Sequence, residues 1–300
     1  MTLIFNRIQF DEILYDLEES EKWLKSLGID TTQSRFSEIL NLNRNIVDHQ
    51  KRNDIDGLLK NHDNVLLYFA LTEASAFVEI HDAFKSEKSH LLRRSQLKKI
   101  IGGPFFAWDE PAEGDNARNT LFELETAAKL KKTGMEIKGF DDVDFIFERT
   151  QFNIQCKRIH SQQKISDNIK DAAGQFCQKM NSNPNIKGII CLSIDKLSGK
   201  EKMFLRAKNE HEIGQTLGQL SGNFIKTHRN LWQNLLNINI LGTLVFVHVI
   251  AIMEEEPFNL LTTCRNIDLD IIPQKEYFQT TDYNLMRKLA DELGGALGRI

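Results

Sequence analysis

Cysteine is scarce in this chain, and its spacing excludes two classes of small protein. None of the four cysteines belongs to a Cys-x-x-Cys pair or to a zinc-type spacing. Domains held together by disulfides or by structural zinc need such recurring pairs, so we exclude both kinds. We expect buried, reduced thiols in a cytoplasmic protein. The cysteines are Cys156, Cys177, Cys191 and Cys264.

A long apolar run, a signal peptide and a phosphate-binding glycine loop are also missing. The longest apolar run covers residues 240–253 and is interrupted by Gly242, Thr243 and His248. Because a membrane-spanning helix needs about 20 apolar residues, we expect this run to be a buried central strand. The first residues lack a basic segment followed by an apolar core, and no Gly-rich loop precedes a Lys-Ser or Lys-Thr pair. These absences predict a cytoplasmic protein that does not contact a membrane and is not a P-loop NTPase.

Net positive charge is absent as well, so any nucleic-acid surface must be a local patch. The formal net charge is −4 in a chain of 300 residues, of which 27% are charged and 41% hydrophobic, as in a typical globular protein. Residues 85–99 form such a patch, with six lysines and arginines against one acid. This pattern favours a helix that contacts phosphates, and an ordinary solvated helix face is the alternative. The predicted phosphate contacts are Arg93, Arg94, Lys98 and Lys99.

The chain divides into a helical first third and an α/β remainder. Helix patterns occupy residues 1–103, and a Gly-Gly-Pro sequence at 102–104 opens a polar linker over 104–116. In residues 117–300, helix and strand patterns alternate, which predicts a mixed sheet flanked by helices. We therefore expect an all-helical N-terminal region followed by one α/β domain.

An amphipathic helix with two glutamates opens the α/β part. The pattern of residues 119–134 predicts a helix that ends at Gly134 and buries a broad face of leucine and alanine. Glu123 falls on the border of that face, where an unpaired carboxylate is costly and a metal ion would be a partner. Glu125 falls on the other side, where we expect it to face water in an i,i+4 pair with Lys129.

Two alternating segments after this helix predict a β-hairpin. Strands over 142–148 and 152–159, joined by a four-residue turn, would place Asp144 directly across from Gln155. Lys157 lies two residues further along the same face. An acid, an amide oxygen and a lysine on one face predict a site for a hard divalent cation and a phosphate. A surface hairpin with a cross-strand Asp–Lys pair is the alternative.

The order of these elements resembles the PD-(D/E)XK nuclease superfamily. A helix with Glu123, a strand with Asp144, a strand with Gln155-Cys156-Lys157 and a further helix follow one another over residues 115–195. The Gln-Cys-Lys-Arg sequence at these positions is most similar to the Gln-x-Lys variant of Mrr-type restriction endonucleases. The chain departs from the pattern at two positions. Gln155 replaces the usual acid and offers a metal only a neutral carbonyl, and a valine stands before Asp144 where the motif often has proline.

The resemblance implies a fold, a cofactor and a reaction. The fold would be a restriction-endonuclease-like mixed sheet, and the reaction would be endonucleolytic hydrolysis of double-stranded DNA in restriction or antiphage defence. The implied catalytic set is Glu123, Asp144, Gln155 and Lys157. Mg²⁺ or Mn²⁺ would be held by the first three and by the backbone carbonyl of Cys156, and would activate the attacking water. Lys157 would orient that water and stabilise the charge that develops on phosphorus.

Other functions fit the same residues. Loss of the acid at position 155 also fits a nucleic-acid-binding protein that no longer cleaves, and a nuclease specific for RNA or a branched DNA junction is a third alternative. A homodimer and a partner protein of a defence system are both open. Arg118, Arg158 and Gln175 are further candidate nucleic-acid contacts. For Arg158 the alternative is a structural ion pair, and for Gln175 it is a solvent-facing amide.

Overall fold

Helices fill most of the first third of the described chain, and a mixed sheet with flanking helices fills the rest. The computed structural model describes residues 2–6, 10–61, 64–86, 92–105, 116–140, 142–198, 204–233, 235, 239–253, 260–271 and 281–297. The helices are α1 (Phe10–Ser26), α2 (Arg35–Lys51), α3 (Ile55–Asn61), α4 (Asn64–Phe84), α5 (Arg94–Ile100), α6 (Asn116–Lys132), α7 (Ile165–Ser182), α8 (Glu210–His228) and α9 (Thr281–Leu297). The strands are β1 (Thr2–Asn6), β2 (Glu136–Gly139), β3 (Val143–Phe147), β4 (Thr150–Arg158), β5 (Lys187–Ser193), β6 (Phe204–Ala207), β7 (Ile240–Met253) and β8 (Leu260–Ile271).

One mixed sheet contains all the strands of the described ranges. Its order is β1-β8-β7-β5-β4-β3-β2, and β6 pairs with the last residues of β7. The pairs β4–β5, β5–β7 and β6–β7 are parallel, whereas the other pairs are antiparallel. The predicted α/β architecture, a mixed sheet between helices, is confirmed. The predicted central strand is confirmed too, because β7 lies between β5 and β8 and is buried from Ile240 to Ala251.

The sheet carries a hydrophobic core on each face, and alternation along β4 assigns its side chains to them. Phe152 and Ile154 belong to the core that α4 and α6 cover. The core on the other face is covered by α7 and α8. Because successive side chains of a strand point to opposite faces, Asn153, Gln155 and Lys157 lie on the face that α7 covers.

The amphipathic helix predicted before the hairpin is confirmed as α6. Its leucine and alanine face is buried, and the helix ends shortly before Gly134, whose φ of +84° is typical of a glycine that terminates a helix. The buried residues of that face are Leu121, Leu124, Ala127, Ala128 and Leu130. Among the helices of the described ranges, none is long and apolar enough to cross a lipid bilayer.

The N-terminal region contributes a strand to the sheet, so the expectation that it is all-helical is wrong. β1 pairs with β8 from Thr2 opposite Ile267 to Asn6 opposite Thr263. The Thr-Leu-Ile-Phe run of β1 has a strand-like composition, but the run is short and its partner β8 lies near the other end of the sequence. The predicted division into 1–103, linker and 117–300 stays a prediction, and residues 106–115 of the linker lie outside the described residues. Side chains of α4 and α6 share one core, so packing is continuous across that boundary.

The β3–β4 hairpin has a two-residue turn, and this corrects its predicted register. Glu148 and Arg149 have φ values of +49° and +65°, as the central residues of a type I′ turn require. The pairing therefore shifts by two residues from the one expected for a four-residue turn. Asp144 lies across from Asn153 and not from Gln155. A shift of two keeps every side chain on its predicted face, so the hairpin still presents an acid, amides and a lysine together.

The turn is the basis of a stability prediction. Replacing Glu148→Asn together with Arg149→Gly should raise the free energy of unfolding by about 1 kcal/mol, because Asn and Gly adopt positive φ with less strain. Urea denaturation would measure it. The matched control, Glu148→Ala with Arg149→Ala, removes the same side chains but retains the strain and should not stabilise. A less stable Asn-Gly variant would contradict the two-residue turn.

Candidate functional site

A polar cavity lies at the carboxyl end of β4, between the beginnings of α6 and α7. Its volume is about 550 Å³, which is within the range of small-ligand sites. The crevice beyond the carboxyl ends of parallel strands is where ligands bind in open α/β sheets. The lining residues are Lys99 from α5, Asn116, Asn119, Thr120 and Glu123 from α6, Cys156, Lys157 and Arg158 from β4, His160 beyond it, and Lys164, Asp167, Asn168 and Asp171 at the start of α7.

The lining favours an anionic ligand and also offers carboxylates. Its lysines and arginine number four, against three carboxylates. The first turns of α6 and α7 both border the cavity. Helix N-termini carry partial positive charge and exposed backbone N–H groups, which suit a phosphate. Asn119 Oδ1 is buried there without a hydrogen-bond partner among the described residues, so it is available to a donor of the ligand.

Two of the predicted catalytic residues meet in this cavity. Glu123 projects from α6 and Lys157 from β4, and both line it. The Cys156 thiol lies close to the same glutamate. Burial, the neighbouring Cys191 thiol and the charge of Glu123 together raise the pKa of Cys156 well above its usual value. The thiol is therefore protonated at neutral pH, and the backbone carbonyl of Cys156 stays a predicted metal ligand.

The other two predicted catalytic residues belong to a polar ladder beneath α7. Asn153 Nδ2 donates to Asp144 Oδ1 at 2.7 Å, and Gln155 Nε2 donates to Asn153 Oδ1 at 2.7 Å. Lys179 of α7 donates to Asp144 Oδ2 at 2.8 Å. Asn153 and Gln155 are almost completely buried. Neither Asp144 nor Gln155 is among the residues that line the cavity.

Lys157 joins the cavity and the ladder. It lies two residues beyond Gln155 on the same strand face, which is roughly 6–7 Å along a strand. Its ammonium donates to Gln175 Oε1 of α7 at 2.6 Å. Gln175, predicted as a possible nucleic-acid contact, is therefore exposed and hydrogen-bonded to the predicted catalytic lysine.

The surroundings of Asp144 fit a cation. Gln155 Oε1 is a buried acceptor without a hydrogen-bond partner among the described residues, and an unmade hydrogen bond there costs free energy. Gly139 pairs with Asp144 at a β-bulge, and a Cβ at Gly139 would lie 3.2 Å from Asp144 Oδ2. Glycine therefore leaves room beside the carboxylate. Within the described ranges, however, no three His, Cys, Asp or Glu side chains cluster as metal ligands.

The basic patch predicted in residues 85–99 reaches the cavity. Residues 87–91 of the patch lie outside the described residues. Arg93, Lys98 and Lys99 of the remainder are exposed, and Lys99 lines the cavity. Arg94 is exposed too, but its guanidinium donates to the backbone carbonyl of Gly28, which is a structural contact with the end of α1.

The two arginines predicted near the site differ in exposure. Arg118 is buried, and its Nε donates to Glu73 of α4 at 2.6 Å. It therefore holds α6 against α4 and is not presented at the surface. Arg158 is half-buried and lines the cavity, which leaves the predicted phosphate contact open.

Glu125 does not face water, and that prediction is wrong. Glu125 and Lys129 are buried and form an ion pair at 2.6 Å, and Lys129 also binds Glu79 of α4. The predicted i,i+4 pair exists, but α4 packs over the face of α6 that carries it. His248 Nε2 lies 3.6 Å from Glu125, and its Nδ1 lies 3.0 Å from Asp195.

The pKa of Asp195 shows how strongly this buried group of charges is coupled. Burial would raise the pKa of Asp195, but the charge and hydrogen bonds of His248 and the hydroxyl of Ser193 outweigh burial and lower it. His248 is thus a core residue with charged partners and lies on the side of α6 away from the ladder. The sequence predicted it as a buried member of the central strand, and only the fold shows its partners.

Three polar residues of the ladder were missed or undervalued by sequence reasoning. Asn153 shares the face of Gln155, but the wrong register hid its position opposite Asp144. Lys179 lies one helical turn after Gln175, a spacing that could have placed both above the hairpin. Asp142 lies 3.9 Å from Lys179, so a second carboxylate stands beside the first.

The two glutamates of α6 should differ in their effect on stability. Glu125→Gln removes one partner of a buried lysine and should lower the free energy of unfolding by about 2–3 kcal/mol. Glu123→Gln makes the same chemical change two residues away, at the half-exposed cavity wall, and should change it by less than about 0.5 kcal/mol. Urea denaturation of both variants decides the matter. Equal losses would mean that α6 is rotated from the orientation described.

Comparison with known proteins adds no relative. No protein-family model, no curated protein and no solved structure matches the chain. The likeness to PD-(D/E)XK nucleases therefore rests on the chain's own residues, and the function must be inferred from the cavity and the ladder.

Proposed function

We propose that the protein hydrolyses phosphodiester bonds of DNA with the help of a divalent cation. The observation that carries the proposal is the meeting of Glu123 and Lys157 in one polar cavity, where two helix N-termini and Lys99 favour phosphate. These two residues come from different elements, and both match positions of the PD-(D/E)XK pattern.

The order of elements supports the same function. α6 carries Glu123, β3 carries Asp144, β4 carries Gln155 and Lys157, and α7 crosses back over the sheet to the parallel strand β5. This is the succession that the resemblance to restriction-endonuclease-like nucleases requires. A restriction or defence role follows from that analogy alone.

Each residue has a chemical role in the proposed reaction. Asp144 and Gln155 of the ladder would hold Mg²⁺ or Mn²⁺, and Glu123 and the Cys156 carbonyl would reach the ion from the cavity, which they line. The bound ion would polarise a phosphoryl oxygen and acidify water. The ammonium of Lys157, held by Gln175, stabilises the negative charge that builds up on the phosphoryl group. Lys99 and the start of α7 hold neighbouring phosphates, so that the scissile bond stays within reach of Lys157.

A nucleic-acid-binding protein without cleavage is the second candidate function. The observation that favours it is the ion pair between Lys179 and Asp144, which neutralises the predicted metal ligand from within the protein. In that case the cavity would still bind phosphates through its lysines. Direct measurement of cleavage separates the two functions.

The first test is metal-dependent cleavage. Purified protein with Mg²⁺ or Mn²⁺ should cut DNA in a panel of linear duplex, nicked duplex, branched junction and RNA, and EDTA should abolish the activity. Lys157→Met should slow cleavage by a factor of about 10²–10³, because charge stabilisation in the transition state is lost.

Lys170→Met is the matched control, since Lys170 is an exposed lysine of α7 outside the cavity. Its rate should equal that of the unaltered protein. Undiminished cleavage by Lys157→Met would refute the assignment of the catalytic lysine. Absence of cleavage on every substrate, with binding retained, would favour the second candidate.

The second test concerns α5. Reversing Lys98 and Lys99 to Glu should weaken DNA binding and reduce its salt dependence by roughly one unit of slope per lost phosphate contact. The control reverses Lys132, the last residue of α6, and Lys138 of β2, which are also exposed and do not line the cavity. Fluorescence anisotropy over a range of salt concentrations measures both. Equal effects of the two double reversals would mean that Lys98 and Lys99 act only through the net charge of the protein and not through phosphate contacts.

A further inference from the structure

The ammonium of Lys179 occupies the place beside Asp144 where a metal ion bound by that carboxylate would lie. Its Nζ is 2.8 Å from Asp144 Oδ2 and 3.9 Å from Asp142 Oδ2. The other oxygen of Asp144 accepts from Asn153. The negative charge of the carboxylate is thus matched by one internal cation on one side and by one neutral donor on the other.

Two features near Asp144 suit a cation. Gly139 leaves space beside Asp144 Oδ2, which a Cβ would approach to 3.2 Å. Gln155 directs its Nε2 to Asn153 and keeps its Oε1 buried without a hydrogen-bond partner among the described residues. Asp144 and Gln155 occupy diagonal positions of the hairpin, about 7–8 Å apart, which is within reach of a side chain as long as that of Gln155.

We propose that Lys179 holds the cation position of Asp144 in the metal-free protein and must leave before a divalent ion can bind. The inference rests on the metal-dependent function proposed above. Lys179 is then a positioning residue that competes with the metal, because an ammonium and a divalent cation cannot both occupy the same face of one carboxylate at short range.

The displaced ammonium has a favourable place to go. The Lys179 side chain is 30% exposed, so it can turn into water without crossing the core. Lys179 also lies in the last turn of α7, where the unsatisfied carbonyls of the helix end attract a cation. Metal affinity would therefore be weakened by the ion pair but not abolished by it.

Calorimetric titration of the protein with Mn²⁺, without nucleic acid, tests the inference. Lys179→Met should bind Mn²⁺ at least about tenfold more tightly than the unaltered protein, because a competing positive charge is removed. Lys179→Arg retains the charge and should remain weak. Lys170→Met removes a charge from the same helix away from Asp144 and should also change nothing. Adding Asp144→Asn to Lys179→Met should abolish the gain.

The outcomes separate this inference from the proposed function. Equal or weaker Mn²⁺ binding by a folded Lys179→Met protein overturns the inference, even if the unaltered protein cleaves DNA. Lys179→Gln provides a second neutral variant should the methionine variant unfold. Tighter binding without cleavage of any substrate would leave the inference standing and overturn the nuclease.

Discussion

Buried ion pairs between α4 and α6 determine the arrangement of the candidate site. Glu73 of α4 accepts from Arg35 and Arg118, and Glu79 of α4 pairs with Lys129. A buried charge that loses its partner costs several kcal/mol, so α6 cannot rotate about its axis or slide along α4 without breaking a pair. The pairs hold one face of the helix inward, and Glu123 is thereby turned to the cavity. These ion pairs, more than apolar packing, determine which glutamate of α6 can contact a ligand.

A second polar contact holds the other side of the site. α7 lies over the hairpin with Gln175 on Lys157 and Lys179 on Asp144. The strand face predicted to be catalytic is thus covered by α7. It is accessible at the cavity, and Asp144 is partly exposed. This arrangement places the lysine at the cavity and the carboxylate one step further in, so that an ion at Asp144 and a phosphate at Lys157 would approach from the same end of β4. Release of Lys179 from Asp144 is a condition for the proposed nuclease, whereas the proposed binding protein does not require it.

Hydrophobic periodicity correctly predicted the features that depend on a single helix or strand. It did not predict the features that depend on a turn or on a second element. The apolar face of α6, the central strand β7 and the sidedness of Asn153, Gln155 and Lys157 follow from spacings of 3.6 and 2 residues, which are local. The predicted hairpin register was wrong because Glu148 and Arg149 form a type I′ turn without the Asn or Gly that is typical of one. The prediction that Glu125 faces water was wrong because α4 covers this residue, and no pattern within α6 reveals that contact. The site residues were predicted from residue type and order alone, and they stay predictions, whereas the contacts of Lys179 and Asn153 with Asp144 required the fold.

The pairing of β1 with β8 has a consequence for how the chain folds. Thr2 is held opposite Ile267, so this edge of the sheet forms only when β8 is present as well. Contacts between residues so distant in sequence carry a large loop-closure cost before they contribute stability, and they slow folding. Until β8 has been synthesised, β1 therefore lacks its strand partner. We therefore expect the pairing of β1 with β8 to be a late step in the formation of the sheet.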